Sequence, residues 1–211
     1  GTMKMWGINY HGCLGDGTIV NRAIPGIVLR DTTGAPLTGV GAIALGESHA
    51  LALLTNGTVV GWGNNQDGQI GDGGNSDSFL PKPVPGLSGV VAISAGSSNS
   101  AAVLSDGTAR TWGSNYYQQL ATGSPSYFGS SPAPVRTSAT GPALTGIKSI
   151  AIGSGFMAAL LVDGTVRAWG WNFYGQLGDG TTTNRPFPTT VVTSLGGPAL
   201  SRIVAIAAGT L

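Results

Sequence analysis

The chain repeats itself, and that repeat limits its fold more than any other feature. Trp-Gly pairs stand at Trp6-Gly7, Trp62-Gly63, Trp112-Gly113 and Trp169-Gly170, spaced 56, 50 and 57 residues apart. Each is preceded by Gly-Thr, beginning at Gly1, Gly57, Gly107 and Gly164, and followed by an asparagine: Asn9, Asn65, Asn115 or Asn172. A glycine-rich stretch comes next, reading GCLGDGT from Gly12, GQIGDGG from Gly68 and GQLGDGT from Gly175, with a degenerate QQLATGS from Gln118. Further on, an apolar run ends in glycine: VGAIALG, VVAISAG, IKSIAIG and IVAIAAG. After three of these four runs a second apolar segment follows: HALALL, NSAAVL and FMAALL.

Each period thus holds three to four short strand-like segments separated by Gly, Asn, Asp and Pro. Segments such as TVRAW alternate and carry β-branched or aromatic residues, as a strand does. Asn56-Gly57, Asp106-Gly107 and Asp163-Gly164 fall between apolar runs and read as tight hairpin turns in which both central residues take φ > 0. No window carries a helical apolar stripe, so the chain reads as all-β. A period near 50 residues with about four strands is that of a β-propeller blade. The repeats divide a single unit, 1–211, into 1–56, 57–106, 107–163 and 164–211.

The composition fits this architecture and excludes others. Glycine makes up 36 of 211 residues and charged residues 9%, against a usual quarter or so for charge. The glycines keep no period of three, which rules out a collagen-like chain. Apolar stretches such as 157–162 and 203–208 fall far short of the roughly 20 residues of a spanning helix. A hydrophobic content of 41% is enough for a packed core. Ten basic against nine acidic residues, with no basic run, point to neither nucleic acid nor an anionic membrane as partner. Cys13 is the single cysteine and forms no internal disulfide.

The pattern G-T-x-x-x-W-G-x-N-x-x-G-Q-L-G-D-G-T, then Pro, then I-A-x-G-x-x-H-A-L-A-L resembles the regulator-of-chromosome-condensation repeat, over essentially the whole chain. That resemblance implies a propeller, usually of seven blades, with the I-A-x-G run as inner strand. In that blade order, complete blades begin near Val40, Gly89 and Ile147. The first 30 or so residues supply only a Trp-Gly strand and an outer strand, and 203–208 supplies only an inner one. The two ends together lack a second strand. The expectation is a piece of a larger ring of about seven blades, or a unit that self-associates through open blade faces. A compact four-blade ring is the alternative.

Nothing in the pattern singles out a catalytic residue, a cofactor or a metal ligand, and the chain is read as no enzyme. Asp16, Asp72 and Asp179 align in the Gly-Asp-Gly turn, where Asp bonds nearby backbone amides. Arg22 and Arg185 follow Asn21 and Asn184 at matched positions and are expected to tie the long loop. His49 aligns with Asn99 and Phe156, a position open to any residue that packs or caps. His11 and Cys13 lack the further ligands a zinc site needs. The glycine-rich segments lack the Gly-Lys-Ser/Thr ending of a phosphate loop.

Aromatics are the candidates that remain. Tyr10, Tyr116, Tyr117, Phe173 and Tyr174 lie just after the repeated Asn, joined by Trp171 just before it, and the insertion SPSYFGSSP adds Tyr127 and Phe128. They either pack loops onto neighbouring blades or form an exposed patch for a protein partner. The family resemblance implies a non-catalytic scaffold for protein–protein interaction. Its alternatives are a nucleotide exchange factor for a Ran-type GTPase and a protein inhibitor of an enzyme, as a related bacterial propeller inhibits β-lactamase. Sparse Lys and Glu with much Thr, Ser and Gly resemble a secreted or cell-surface bacterial repeat protein more than a nuclear or cytoplasmic exchange factor.

Overall fold

A computed structural model describes residues 1–209; the last two residues of the fourth repeat lie outside the described residues. The chain opens with an antiparallel pair, β1 (Lys4–Gly7) and β2 (Arg22–Ile27). Three four-stranded antiparallel sheets follow, each a meander in sequence order. The first holds β3 (Val40–Leu45), β4 (His49–Leu54), β5 (Val59–Gly63) and β6 (Ser78–Pro83). The second holds β7 (Val90–Gly96), β8 (Asn99–Leu104), β9 (Ala109–Ser114) and β10 (Phe128–Pro134). The third holds β11 (Ile147–Ile152), β12 (Phe156–Leu161), β13 (Val166–Gly170) and β14 (Arg185–Thr190). Among the described residues the one helical element is a 3-10 turn, Tyr10–Gly12, and no helix is long and apolar enough to cross a membrane.

The register repeats with the sequence. Ala50 pairs with Trp62, Ser100 with Trp112 and Met157 with Trp169. The glycine after each Trp takes φ near +100°, from +100° at Gly63 to +109° at Gly7, which a side chain would strain. At Gly63 and Gly170 a Cβ would also stand 2.5 Å from the carbonyl of Ser48 or Gly155 on the neighbouring turn. The hairpins differ from expectation. Only the glycine of each pair takes positive φ (Gly57 +83°, Gly107 +78°, Gly164 +79°), while Asn56, Asp106 and Asp163 do not. The Asx carboxamide or carboxylate instead accepts the N–H two residues on, from Thr58 (3.0 Å), Thr108 (2.8 Å) and Thr165 (2.9 Å). That bond stabilises a single left-handed residue in a longer turn.

Both faces of the middle strands are buried because the sheets stack face to face. Met3, Val28 and Leu37, which flank the first pair, pack on Ala50, Ala52 and Trp62. Leu51, Val59 and Val84 then meet Ala102, Leu104 and Trp112, and Ala101, Leu120 and Val135 meet Ile150, Met157 and Trp169. This stacking accommodates so few charges, because the middle sheets expose rims and loops rather than a whole face.

One expected strand is absent. Segment 203–208 was expected to be an inner strand, yet residues 201–209 carry no strand. No second strand pairs with it among the described residues, so it has no ladder there. The segment nonetheless lies where an inner strand would lie. Ile203 N–H donates to Gly164 O (3.0 Å) as Ile147 N–H does to Gly107 O (2.8 Å), and Ala208 packs against Phe156, Ala168 and Leu177. Its end also lines a cleft of about 480 Å³ together with the ends of β3, β7 and β11.

Candidate protein-interaction surface

The loop after each Trp-Gly strand is organised by the asparagine that follows it. Asn172 is fully buried; its Oδ1 accepts Leu177 N–H (2.9 Å) and its Nδ2 donates to the carbonyls of Thr181 and Thr183 (both 3.0 Å). Asn9 and Asn65 make the same set: Leu14 and Ile70 N–H donate to their Oδ1, and Nδ2 reaches the carbonyls nine and eleven residues on. One side chain thus closes a loop of about a dozen residues and satisfies backbone groups that the turn leaves unpaired. This role was missed at the level of sequence, although the recurrence of the four asparagines was in plain view.

The aspartate of each Gly-Asp-Gly turn completes the loop. Asp179 Oδ1 accepts Thr181 N–H (2.9 Å) and the Thr181 hydroxyl (2.7 Å), and its Oδ2 accepts Arg185 Nε–H (2.6 Å). Asp16 repeats this with Thr18 and Arg22, and Asp72 with Gly74 and Lys82. Burial pushes the Asp179 and Asp16 carboxyls up, but hydrogen bonds from Thr and Arg together outweigh it and hold both below the ordinary range. Loop-tying by Arg22 and Arg185 is as expected. The third loop lacks the aspartate. There Asn115 N–H donates to Tyr127 O (2.7 Å), where Asn9, Asn65 and Asn172 use a side chain. That substitution carries Tyr127 and Phe128 into the loop cluster.

The aromatics of the third and fourth loops form a band of two stacked groups that lie side by side through the successive residues Tyr116 and Tyr117. Tyr116 stacks on Tyr127 (centroids 5.5 Å apart, planes 22° apart), and Tyr117 stacks on Trp171 of the next repeat (5.2 Å, 20°). Tyr174 meets Trp171 edge-on at 5.5 Å and Phe173 edge-on at 5.0 Å. Tyr117 and Trp171 join two repeats, as the packing reading expects, while the outward rings stay in water. Tyr116, Tyr127, Phe173 and Tyr174 are 61–68% exposed and Phe128 42%. Beside the band, Tyr116, Tyr117, Gln118, Asn184 and Pro186 line an uncharged cleft of about 290 Å³. Tyr10, in the first loop, is exposed and stacks on no other aromatic ring among the described residues.

Titratable side chains gather nowhere in a metal-binding arrangement: no group of three or more His, Cys, Asp or Glu occurs among the described residues. His49 is buried, its Nε2 2.9 Å from Ser100 Oγ, whose own proton goes to Gln69 O (2.8 Å). Nε2 is therefore the donor. Burial drives this imidazole down to about 4, with the Asn99 backbone opposing. Burial also pushes the Cys13 thiol up, and its Sγ–H donates to Ile8 O (3.0 Å). His11 Nδ1 lies 2.6 Å from Asp77 Oδ2, linking the first loop to the second.

Comparison with known proteins agrees with this construction. A family model described as "Regulator of chromosome condensation (RCC1) repeat" matches residues 56–103 and 163–210, and a second of the same description matches 42–69, 90–119 and 147–176. The ultraviolet-B receptor UVR8 of Arabidopsis thaliana is 34% identical over 161 residues, 76% of this chain and 24% of that protein. The E3 ubiquitin-protein ligase HERC2 of Homo sapiens is 32% identical over 205 residues, 96% of this chain and 4% of that protein. The chain thus spans a quarter or less of the length of these curated relatives. Among solved structures, Prp20p of Saccharomyces cerevisiae superposes with a TM-score of 0.69 at 24% identity, covering 90% of this chain and 46% of that one. Human WBSCR16 gives 0.54 at 22%, covering 96% and 64%. With its Trp-Gly strands, its Asn-closed loops and these matches, the chain belongs to the regulator of chromosome condensation (RCC1) repeat family.

Proposed function

We propose that the chain is a non-catalytic propeller scaffold, part of a larger ring, that binds a protein partner through the aromatic band of its third and fourth loops. The observation that carries this reading is the band itself. Rings held by mutual stacking are presented to water on loops closed by buried asparagines. Tyr and Trp so presented give large contact area at small entropic cost, which makes them interface anchors. The relatives support the same reading, since Prp20p is described by its binding to Gsp1p and histones.

The test is binding by a variant in which Tyr116, Tyr117, Tyr127 and Phe128 are all changed to Ala. Loss of two anchors worth about 2 kcal/mol each weakens partner binding by several hundred-fold or more. Unchanged binding removes the band from the interface. A parallel assay measures nucleotide release from a Ran-type GTPase. No acceleration is expected, and a clear acceleration replaces the scaffold reading with an exchange factor.

A further inference from the structure

The third loop departs from the repeat where the repeat is strictest. Each internal joint is plugged by an indole: Trp62, Trp112 and Trp169 donate Nε1–H to the carbonyls of Cys13 (2.9 Å), Gln69 (2.9 Å) and Gln119 (2.8 Å) in the preceding loop. Around that carbonyl position, three of the four loops place two glycines at positive φ: Gly12 and Gly15, Gly68 and Gly71, Gly175 and Gly178. At the first two joints a side chain would not fit. A Cβ on Gly12 would stand 2.7 Å from Phe79 Cα, and one on Gly68 2.5 Å from Ser130 Cα, each on the outer strand of the next repeat. The third loop carries Gln118 and Ala121 instead, held at φ of +58° and +50°. Left-handed backbone at residues other than glycine is strained, and such strain gathers at ligand sites.

At this joint a groove replaces the close contact. Clefts of about 290 Å³ and 200 Å³ lie against the third loop, and Gln118 and Pro186 line both. Pro186 follows the β14 partner of Gly170, as Phe79 and Ser130 follow the partners of Gly63 and Gly113, so it holds their place on the outer strand. Tyr116 and Tyr117 wall the larger cleft, and Pro125 and Phe187 the smaller. No residue lining either cleft is charged, since Thr122 stands where the other loops carry Asp16, Asp72 and Asp179. Asn184, in the larger cleft, commits its Oδ1 to Asn172 N–H (2.8 Å), which leaves its Nδ2 as a donor. The exposed Gln118 adds a second carboxamide. Both walls belong to repeats whose sheets are complete, so the groove depends on neither chain terminus.

We propose that this groove takes an uncharged, proline-containing segment of the protein partner in extended polyproline II form, a proposal that rests on the aromatic band being an interface. Three features select that occupant. The lining has no charge to pair with, so an acidic or basic segment would be desolvated without a partner. Tyr116 and Tyr117, 61% and 41% exposed beside Pro186, offer ring surface to pyrrolidine rings, whose backbone is already in its bound form. A polyproline II backbone makes no internal hydrogen bonds, so its carbonyls are free to accept from Asn184 Nδ2 and the Gln118 carboxamide.

Fluorescence anisotropy with a labelled, end-blocked peptide of Ala-Pro-Pro repeats, titrated with the 211-residue chain, tests the groove. Saturable binding is expected, little changed between low and high salt because no charge takes part. Gln118→Gly restores the residue of the other three loops and relieves the left-handed strain, and is expected to weaken the peptide about tenfold or more. Asn184→Asp keeps the acceptor for Asn172 N–H, as Asp77 does for Asn65 (2.9 Å), and loses the donor, with a similar loss expected. Melting temperatures at or above that of the parent separate these losses from unfolding. Absence of saturable binding overturns the proposal, as does binding that both variants leave unchanged, or a labelled neutral glucose oligosaccharide bound in the peptide's place. Its failure is distinct from that of the scaffold reading. A partner lost when Tyr116, Tyr117, Tyr127 and Phe128 become Ala, yet not displaced by the proline peptide, keeps the band in the interface and overturns the groove.

Discussion

Trp112 and Trp6 occupy the same place in the same motif, yet one is sealed from water and the other is mostly exposed. Both stand on a strand five residues after the Gly of a Gly-Thr pair and are followed by a glycine with φ of +105° to +109°. What separates them is the neighbour. Trp112 has the Gln69 carbonyl and the Gly71 backbone to lie on, whereas Trp6 rests on no loop of another repeat among the described residues. The strand therefore makes the plug, and the joint makes the burial. The largest expected effect follows at the enclosed site: Trp112→Ala costs about 3–5 kcal/mol, since it empties a filled joint and orphans a carbonyl. Denaturant unfolding measures it. A cost near zero there would break the comparison, because joints would then add little to stability.

His49 and Phe156 repeat the contrast at another position. His49 is locked between two sheets through Ser100, while Phe156, its counterpart, lines a cleft beside segment 203–209. The folded state holds His49 near 4, below the ordinary 6.5. Between those values the unfolded chain carries a proton that the folded chain lacks. Its contribution is complete above pH 6.5 and is lost progressively as the pH falls towards 4, by on the order of 3 kcal/mol. His49→Phe, which copies the fourth-repeat residue, flattens that part of the stability–pH profile. A profile unchanged by the substitution assigns the acid sensitivity to other groups.

These contrasts mark how far the sequence could be read. The four Trp-Gly steps and the apolar runs between them were sufficient for an all-β propeller, because strand period and turn residues are local properties. The closing role of Asn65 was not legible, since its partners Gly74 and Ser76 are defined by a loop path rather than by spacing to a motif. Stacking of Tyr117 on Trp171 joins residues 54 positions apart and needs the sheets in place. The hairpin turns were placed correctly but given the wrong backbone, because Asn-Gly and Asp-Gly serve more than one turn type and the Thr N–H decides between them. Segment 203–208 has strand composition, but pairing depends on a partner that composition cannot supply.

The loops sharpen the comparison from the other side. If a loop is held by its own asparagine, it stands equally firm at a filled joint and at the open end. Asn65 and Asn172 make matching bonds although Gln69 carries an indole and Gln176 does not. Asn65→Ala and Asn172→Ala are therefore each expected to cost about 2 kcal/mol, from unpaired Ile70 or Leu177 N–H and two loop carbonyls. Thermal unfolding of the two variants side by side checks it. A much larger cost for Asn65→Ala would mean that the seated indole, rather than the asparagine, shapes the loop.

The smallest effect is the most discriminating. Trp6→Ala in dilute solution changes the stability of the single chain by less than about 0.5 kcal/mol, as an exposed substitution does. A substantial loss of stability in dilute Trp6→Ala would mean that the first strand pair leans on its own indole, and the burial of Trp112 would no longer be the work of the joint alone.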